Sequence, residues 1–256
     1  MFGRRILILV PHPDDEIVAC AATIGRARQA GAEIFSLYLT HGCVSRETMW
    51  PWRRRAYPLV VARRRAEAED VARFLDIRPA GWLDRPARHV WRDLPRVRAE
   101  IEQAVAQHDI DQLWVPAFEG GNADHDAINA VAQLFKPGLS VLEFAEYNYS
   151  DGRAHSHAFP FPNGQETVIL LSAAEQAAKR EALSRYPSEN LNLSYVKCER
   201  EVYRPLGDYD YSKPAHPGVL WYARFQWVPF RHPQVDFTNP TDVAAAITTF
   251  LSRASA

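Results

Sequence analysis

His12 to Glu16 (H-P-D-D-E) place one imidazole and three carboxylates directly after the apolar run Ile6-Leu7-Ile8-Leu9-Val10. A β-rich run that stops at a proline reads as a buried strand ending at a sheet edge. Burying that much charge is costly unless it is paired, solvated or bound to a cation. A metal resolves the cost. Two adjacent aspartates then divide the work, one ligating and the other taking a proton.

Two further segments carry candidates. Thr40-His41-Gly42 closes a second strand-like run, and Pro116 to His125 follows the apolar pair Trp114-Val115. The second of these contains G-G-N-A-D-H (residues 120–125), a glycine-loosened loop running into a helical pattern. His125, near that helix start, completes a candidate ligand set with His12 and Asp15. Two imidazoles and one carboxylate suit Zn²⁺ with an open position for water, and Fe²⁺ or Mn²⁺ fits the same ligands. Asp14 is then placed to act as general base on metal-activated water.

The elements that must position these residues alternate in type. Strand-like segments at 5–10, 33–40, 81–84, 112–116 and 140–148 are separated by helical patterns at 15–30, 59–75, 94–107 and 124–135. That alternation predicts a mostly parallel sheet with helices on both faces, a three-layer α/β/α arrangement. Ligands in such sheets bind beyond the carboxyl ends of the strands, which is where all three chemistry-bearing segments fall. The second half is less regular. Strands are expected at 166–171, 195–203 and 219–227, a helix at 172–186 with Ser172 as N-cap, and a closing helix at 242–251. No glycine-rich turn follows the first strand, so a dinucleotide fingerprint is absent.

Composition narrows the class. The 256 residues are 47% hydrophobic and 24% charged, as in an ordinary globular protein, and the formal net charge of -1 gives no drive toward nucleic acid. Cys20, Cys43 and Cys198 are too few and scattered for a disulfide framework or a thiolate zinc site. No stretch approaches a transmembrane span or a signal peptide, so a cytoplasmic location is expected. Oligomeric state is left open.

P-H-P-D-D-E after a first strand, with a later D-H, resembles the PIG-L/LmbE-like family of zinc-dependent de-N-acetylases. Thr23-Ile24 with Gly31, the T-x-G of Thr40 to Gly42, and Arg64 to Glu67 leading to Leu75-Asp76-Ile77 look like further family positions. The resemblance covers roughly the first 150 residues, with weaker echoes in 179–189. It implies a Rossmann-like fold, here one LmbE-like domain over 1–256 with the metal site in 1–150 and a substrate-side elaboration in 151–256. It implies His12, Asp15 and His125 as metal ligands, Asp14 as the base, and Glu16 as support for the loop. It makes Arg64 the substrate-contacting arginine. The activity implied is removal of an N-acetyl group from an amino-sugar-containing substrate. An amidase acting on a thiol conjugate or specialised metabolite, or a binding module that lost the chemistry, are the alternatives. The chain departs from the family at one telling place. Where H-x-D-H is frequent, Asn122 replaces the first histidine. Asn donates a hydrogen bond to an oxyanion but transfers no proton at neutral pH. Either His41 compensates as the acid, or Asp14 returns its proton; His41 is otherwise a loop histidine.

Four other features invite more than one reading. Glu143 and Glu146, ending a strand, could reach the rim and bind sugar hydroxyls. His155 and His157 read as solvated loop residues. The run from Arg46 to Arg65 holds seven arginines with Trp50 and Trp52 among them. It suits an anionic ligand such as a phospho-sugar or acidic lipid headgroup, or else forms a solvated face paired with Glu67, Glu69 and Asp70. Tyr203, Tyr209, Tyr211, Trp221, Tyr222 and Trp227 crowd the last third, as a glycan-stacking wall or as core.

Overall fold

Alternate residues of the first strand serve opposite faces of one sheet. Leu7 and Leu9 of β1 (Arg5–Val10) pack with one group of helices, and Ile6, Ile8 and Val10 with the other. The period of two that strands impose on side chains makes this run apolar throughout, because both of its faces are covered. The computed structural model describes residues 2–254.

Along the chain follow α1 (Asp15–Gln29), β2 (Glu33–Tyr38), α2 (Tyr57–Leu75), β3 (Arg78–Trp82), α3 (Leu94–Gln107), β4 (Gln112–Pro116), α4 (Ala123–Ala132) and β5 (Ser140–Phe144). A small hairpin of β6 (Tyr147–Asn148) and β7 (His155–Ser156) comes next. The chain ends with β8 (Thr167–Leu170), α5 (Ala173–Ser184), β9 (Arg200–Pro205) and α6 (Pro240–Ala254). Seven strands form the main sheet in the order β3-β2-β1-β4-β5-β9-β8. The first five are parallel, whereas β9 pairs antiparallel with both β5 and β8. Helices α1, α2 and α5 cover one face, and α3, α4 and α6 the other. The expected three-layer, mostly parallel α/β/α fold is therefore the fold observed.

The strand order reverses between β1 and β4, which pair directly from Ile6 with Gln112 to Ile8 with Trp114. Connections from the two strands leave toward opposite sides, opening a crevice at their carboxyl ends. Local signals end the helices as expected. Gly31, at φ 92°, follows α1, and Ser172 caps α5 in a reciprocal capping box with Glu175. Gly42 shows a tighter need. At φ 72°, a Cβ there would lie 2.8 Å from Cδ of Pro13, so glycine lets the loop after β2 lie against the one after β1.

The second half departs from expectation in two places. The expected strand over 219–227 is a loop with one 3-10 turn, Trp221–Ala223. Its dense apolar and aromatic residues imitate a strand, yet its backbone joins no sheet: Trp221 donates instead to the carbonyl of Gly120 at 3.0 Å. The strand expected to begin at Tyr195 begins at Arg200, and residues 187–199 are turns and loop. Among the described residues, no helix is long and apolar enough to cross a membrane.

Candidate metal centre and active site

Three donor atoms meet at the β1/β4 crevice. Nδ1 of His12 lies 3.4 Å from Oδ2 of Asp15, Nε2 of His125 lies 3.3 Å from that same oxygen, and the two nitrogens are 3.3 Å apart. Four ligands arranged tetrahedrally at zinc bond lengths of about 2.0–2.1 Å stand about 3.3–3.4 Å from one another. The triangle thus has the edge of a tetrahedral zinc face, and its donor set, two imidazoles and a carboxylate, is one zinc accepts. These residues fit the group that the sequence led us to expect.

Each of the three donors is held from behind. Asp15 opens α1, and its Oδ2 also accepts the backbone N–H of His12 at 2.7 Å. His12 sets its other nitrogen, Nε2, 3.1 Å from Asp124, whose carboxylate is fully buried and accepts from the backbone of Arg88 at 2.5 Å and of Val90 at 2.9 Å. A histidine whose outer nitrogen is tied to a carboxylate presents the inner one as lone-pair donor. His125, on the first turn of α4, turns Nδ1 toward Glu146 at 4.0 Å. Burial disfavours the His12 cation, but Asp124 and Asp15 outweigh it and raise its pKa to about 10. Burial likewise opposes the Asp15 anion, and the imidazoles of His125 and His12 overcome it, holding that carboxyl well below the usual range. A bound cation competes with the imidazole proton for Nδ1.

Asp14 sits next to the triangle in an unusual backbone state, φ 132° and ψ -25°, which an L-residue rarely adopts. Its N–H is held by Glu16 at 3.0 Å, and Glu16 in turn accepts from the Tyr186 hydroxyl at 2.6 Å. Arg64 reaches over from α2, donating to the Pro13 carbonyl at 2.9 Å and to Oδ2 of Asp14 at 3.3 Å, and pairs also with Glu189. Burial pushes the Asp14 carboxyl well above its ordinary range, with Arg64 opposing that rise. Asn122 caps α4: its Oδ1 accepts from Asp124 N at 2.9 Å, which leaves the Nδ2 hydrogens to donate outward.

Other expected site residues lie elsewhere. Arg64 is only 4% exposed and is spent on Asp14, Pro13 and Glu189, so it positions the aspartate rather than presenting a guanidinium to substrate. Glu146 is fully buried beneath His125 and Glu143 is buried against Arg204 and Asn129, so neither reaches sugar hydroxyls at the rim. His41 is buried beside Cys43 and Tyr57; its Nε2 is 3.0 Å from the tyrosine hydroxyl, and burial lowers its pKa. That environment engages His41 with Cys43 and Tyr57 and disfavours its acid form. His157, expected in solvent, is fully buried with its two ring nitrogens near the carbonyls of Ala145 and Lys197, whereas His155 pairs with Asp151 at the surface.

Of the late aromatics, Tyr203, Tyr211 and Tyr222 are buried, and Tyr209 is tied to Glu143 and Arg204. Trp221 alone of that group joins a wall beside the triangle, with Tyr147 at 5.1 Å and Tyr195 at 5.5 Å between ring centres; Tyr147 stands 5.9 Å from the His125 ring. Neither tyrosine was foreseen, nor was Asp124, although Asp124 directly precedes the ligand histidine in N-A-D-H. A surface cavity of about 600 Å³, lined by Trp91, Arg98 and Phe250 among others, includes none of the donor residues.

Known proteins resemble this chain in sequence and fold. The family described as GlcNAc-PI de-N-acetylase (PIG-L) matches residues 7–135, which span both ligand-bearing loops. A 1D-myo-inositol 2-acetamido-2-deoxy-alpha-D-glucopyranoside deacetylase of Kineococcus radiotolerans is 33% identical over 206 residues, covering 79% of this chain and 55% of that protein. The chain thus spans little more than half the length of this relative. Among solved structures, a deacetylase of teicoplanin biosynthesis superposes with a TM-score of 0.62 at 18% identity, covering 78% of this chain and 97% of that one. The N,N'-diacetylchitobiose deacetylase of Pyrococcus horikoshii gives 0.50 at 19% identity, covering 78% and 83%. These two likenesses speak to the fold. With a family match running from β1 through α4 and every residue of the donor triangle inside it, the chain belongs to the PIG-L family.

Proposed function

We propose that this protein is a zinc-dependent hydrolase that removes an N-acetyl group from an amino-sugar-containing substrate. One observation carries the reading: a triangle of His12, Asp15 and His125 donors with edges of 3.3–3.4 Å, flanked by a carboxylate, Asp14, that lies outside the donor group. The related deacetylase of Kineococcus radiotolerans, named for a 2-acetamido-sugar, supports the substrate class.

His12, Asp15 and His125 would hold the metal, which supplies Lewis acidity toward water and the amide carbonyl. Asp14 takes the proton of the attacking water, with Arg64 fixing its Oδ2. The Nδ2 hydrogens of Asn122 donate to the carbonyl oxygen as negative charge builds there. As the C–N bond breaks, Asp14 returns the proton to the amine nitrogen, because Asn122 has none to give. Water and amide are thereby converted to acetic acid and the amine, which part as acetate and the ammonium form of the sugar, with no proton gained or lost by the protein.

The test is acetate release from a panel of N-acetyl amino sugars, with metal content measured on the same sample. Turnover that needs zinc and is lost on chelation is the expected result. Protein that is fully loaded with zinc and inert toward every acetylated sugar would refute the reading.

A further inference from the structure

Of twelve large hydrophobic side chains that stand exposed among the described residues, nine fall within 52–60, at 191, or within 219–237. Trp52 is 73% exposed, Leu191 86% and Trp227 77%. Each of these stretches is tied to the active site. The first leads into α2, which carries Arg64 to Asp14. Around Leu191, Glu189 pairs with Arg64 and Tyr195 packs on Tyr147 at 4.9 Å. The third carries Trp221, which packs on Tyr147, and its far end accepts hydrogen bonds from Arg88, whose backbone holds Asp124. The first and third stretches also touch: Trp50 stacks on Trp52 at 5.2 Å and meets His232 edge-on at 5.5 Å. The exposed apolar side chains therefore form a collar around the mouth of the metal centre instead of a scatter.

Exposure on this scale needs a cause, since clustered apolar surface on a water-facing protein marks an interaction site. The charge of the collar says with what. Residues 46–65 hold seven arginines against the single acid Glu47, in a chain whose formal net charge is -1. Arg46, Arg53 and Arg55 are exposed and make no ion pair among the described residues, and the same holds for Arg231 beside Phe230. Unpaired arginines stand among the exposed indoles on loops and a short 3-10 turn, which gives the collar a positive face. They match a headgroup layer, where indole rings settle at the interface and guanidinium groups meet lipid phosphates.

We propose that this collar docks the protein, mouth inward, on the surface of an anionic phospholipid bilayer. Attachment is peripheral, through side chains that enter the headgroup region. The docking stands independently of the deacetylase reading, and its test needs no turnover.

The purified full chain is floated with vesicles of phosphatidylcholine containing phosphatidylglycerol, and with phosphatidylcholine alone. Binding should favour the anionic vesicles and weaken as salt is raised. Replacing Arg53 or Arg55 with Ser should cost about fivefold in binding for each charge removed, and the pair Trp52→Ser and Trp227→Ser on the order of tenfold. All four side chains are exposed, so these variants should melt as the parent does. Failure to float with anionic vesicles would overturn the proposal, as would variants that float like the parent. A solution dimer that the tryptophan variants dissociate would also overturn it, by assigning the collar to a second copy of the chain.

Discussion

Nδ1 of His125 and the carboxylate of Glu146 face each other at 4.0 Å, both fully buried, and no backbone group takes either of them. Burial, with Asp15 and Glu119 close by, holds the Glu146 carboxyl well above its usual range. It lies under the His125 edge of the donor triangle, as Asp124 lies behind His12. The pair therefore orients the imidazole so that Nε2 faces the other two donors. Replacing Glu146 with Leu should weaken zinc binding by about tenfold to hundredfold while the chain stays folded. Glu146→Gln keeps an acceptor and should lose less. Chelator competition on both variants decides the matter: equal affinities, matching the parent, would mean that Glu146 does not orient His125.

Asp14 and Arg64 test the division of labour. Asp14→Asn should cut kcat by about 10²–10⁴-fold without lowering zinc content, because the base is lost and the ligands are kept. Arg64 touches Asp14 and not the open rim, so Arg64→Lys should lower kcat with little change in KM. A rise in KM alone would restore the substrate-contacting role that the sequence implied.

How much of this was legible beforehand follows from where each constraint lies along the chain. His12, Asp14 and Asp15 are local to one strand end, and dense charge after an apolar run signals its purpose without a structure. The first five strands alternate with helices, so their parallel pairing and the convergence of loops after β1 and β4 also follow from order alone. Glu146 was seen as a strand-end acid, but its direction depends on the turn into the β6–β7 hairpin, which sequence periodicity does not resolve. Arg64 carries a charge that reads as available, and only the loop at Glu189 reveals that it is already paired. The stretch 219–227 reads like a half-buried strand because Leu220 and Tyr222 are buried and Trp221 packs on Tyr147, while Phe225 and Trp227 stand exposed. That pattern reports two environments, and a sheet is only one way to supply them.

Lys179 and Glu201 form a second buried unit, between α5 and β9. Both are buried and lie 3.0 Å apart, and Glu201 also accepts from the backbone of Ala22 and Thr23 and from the Thr23 hydroxyl. This ties α5 and β9 to the middle of α1, the helix that Asp15 opens. Lys179→Met leaves a buried carboxylate short of its counter-ion and should destabilise the fold by about 3–5 kcal/mol in urea titration. Replacing Glu201 with Gln as well should recover part of that loss, since no buried charge then remains. A double variant less stable than Lys179→Met would show that the pair contributes more through its hydrogen bonds than through charge.

His157 makes stability depend on pH in a definite direction. Burial, with the Lys179 charge adding to it, lowers its pKa from 6.5 to about 3. Unfolded chain takes up the proton near pH 6.5, whereas the folded protein resists it until about pH 3. The unfolded state thus binds more protons throughout that window, and stability falls as the pH drops from about 6.5 toward 3. One such group contributes at most about 1.4 kcal/mol per pH unit. Asn is the informative replacement, because His157 sits at φ 51°, a conformation Asn tolerates. Urea titrations from pH 7 to pH 4 should show a shallower decline for His157→Asn than for the parent chain. The carboxylates common to both cancel in the difference. Parallel declines would mean that His157 is protonated in the folded state, with both ring nitrogens donating to the carbonyls of Ala145 and Lys197.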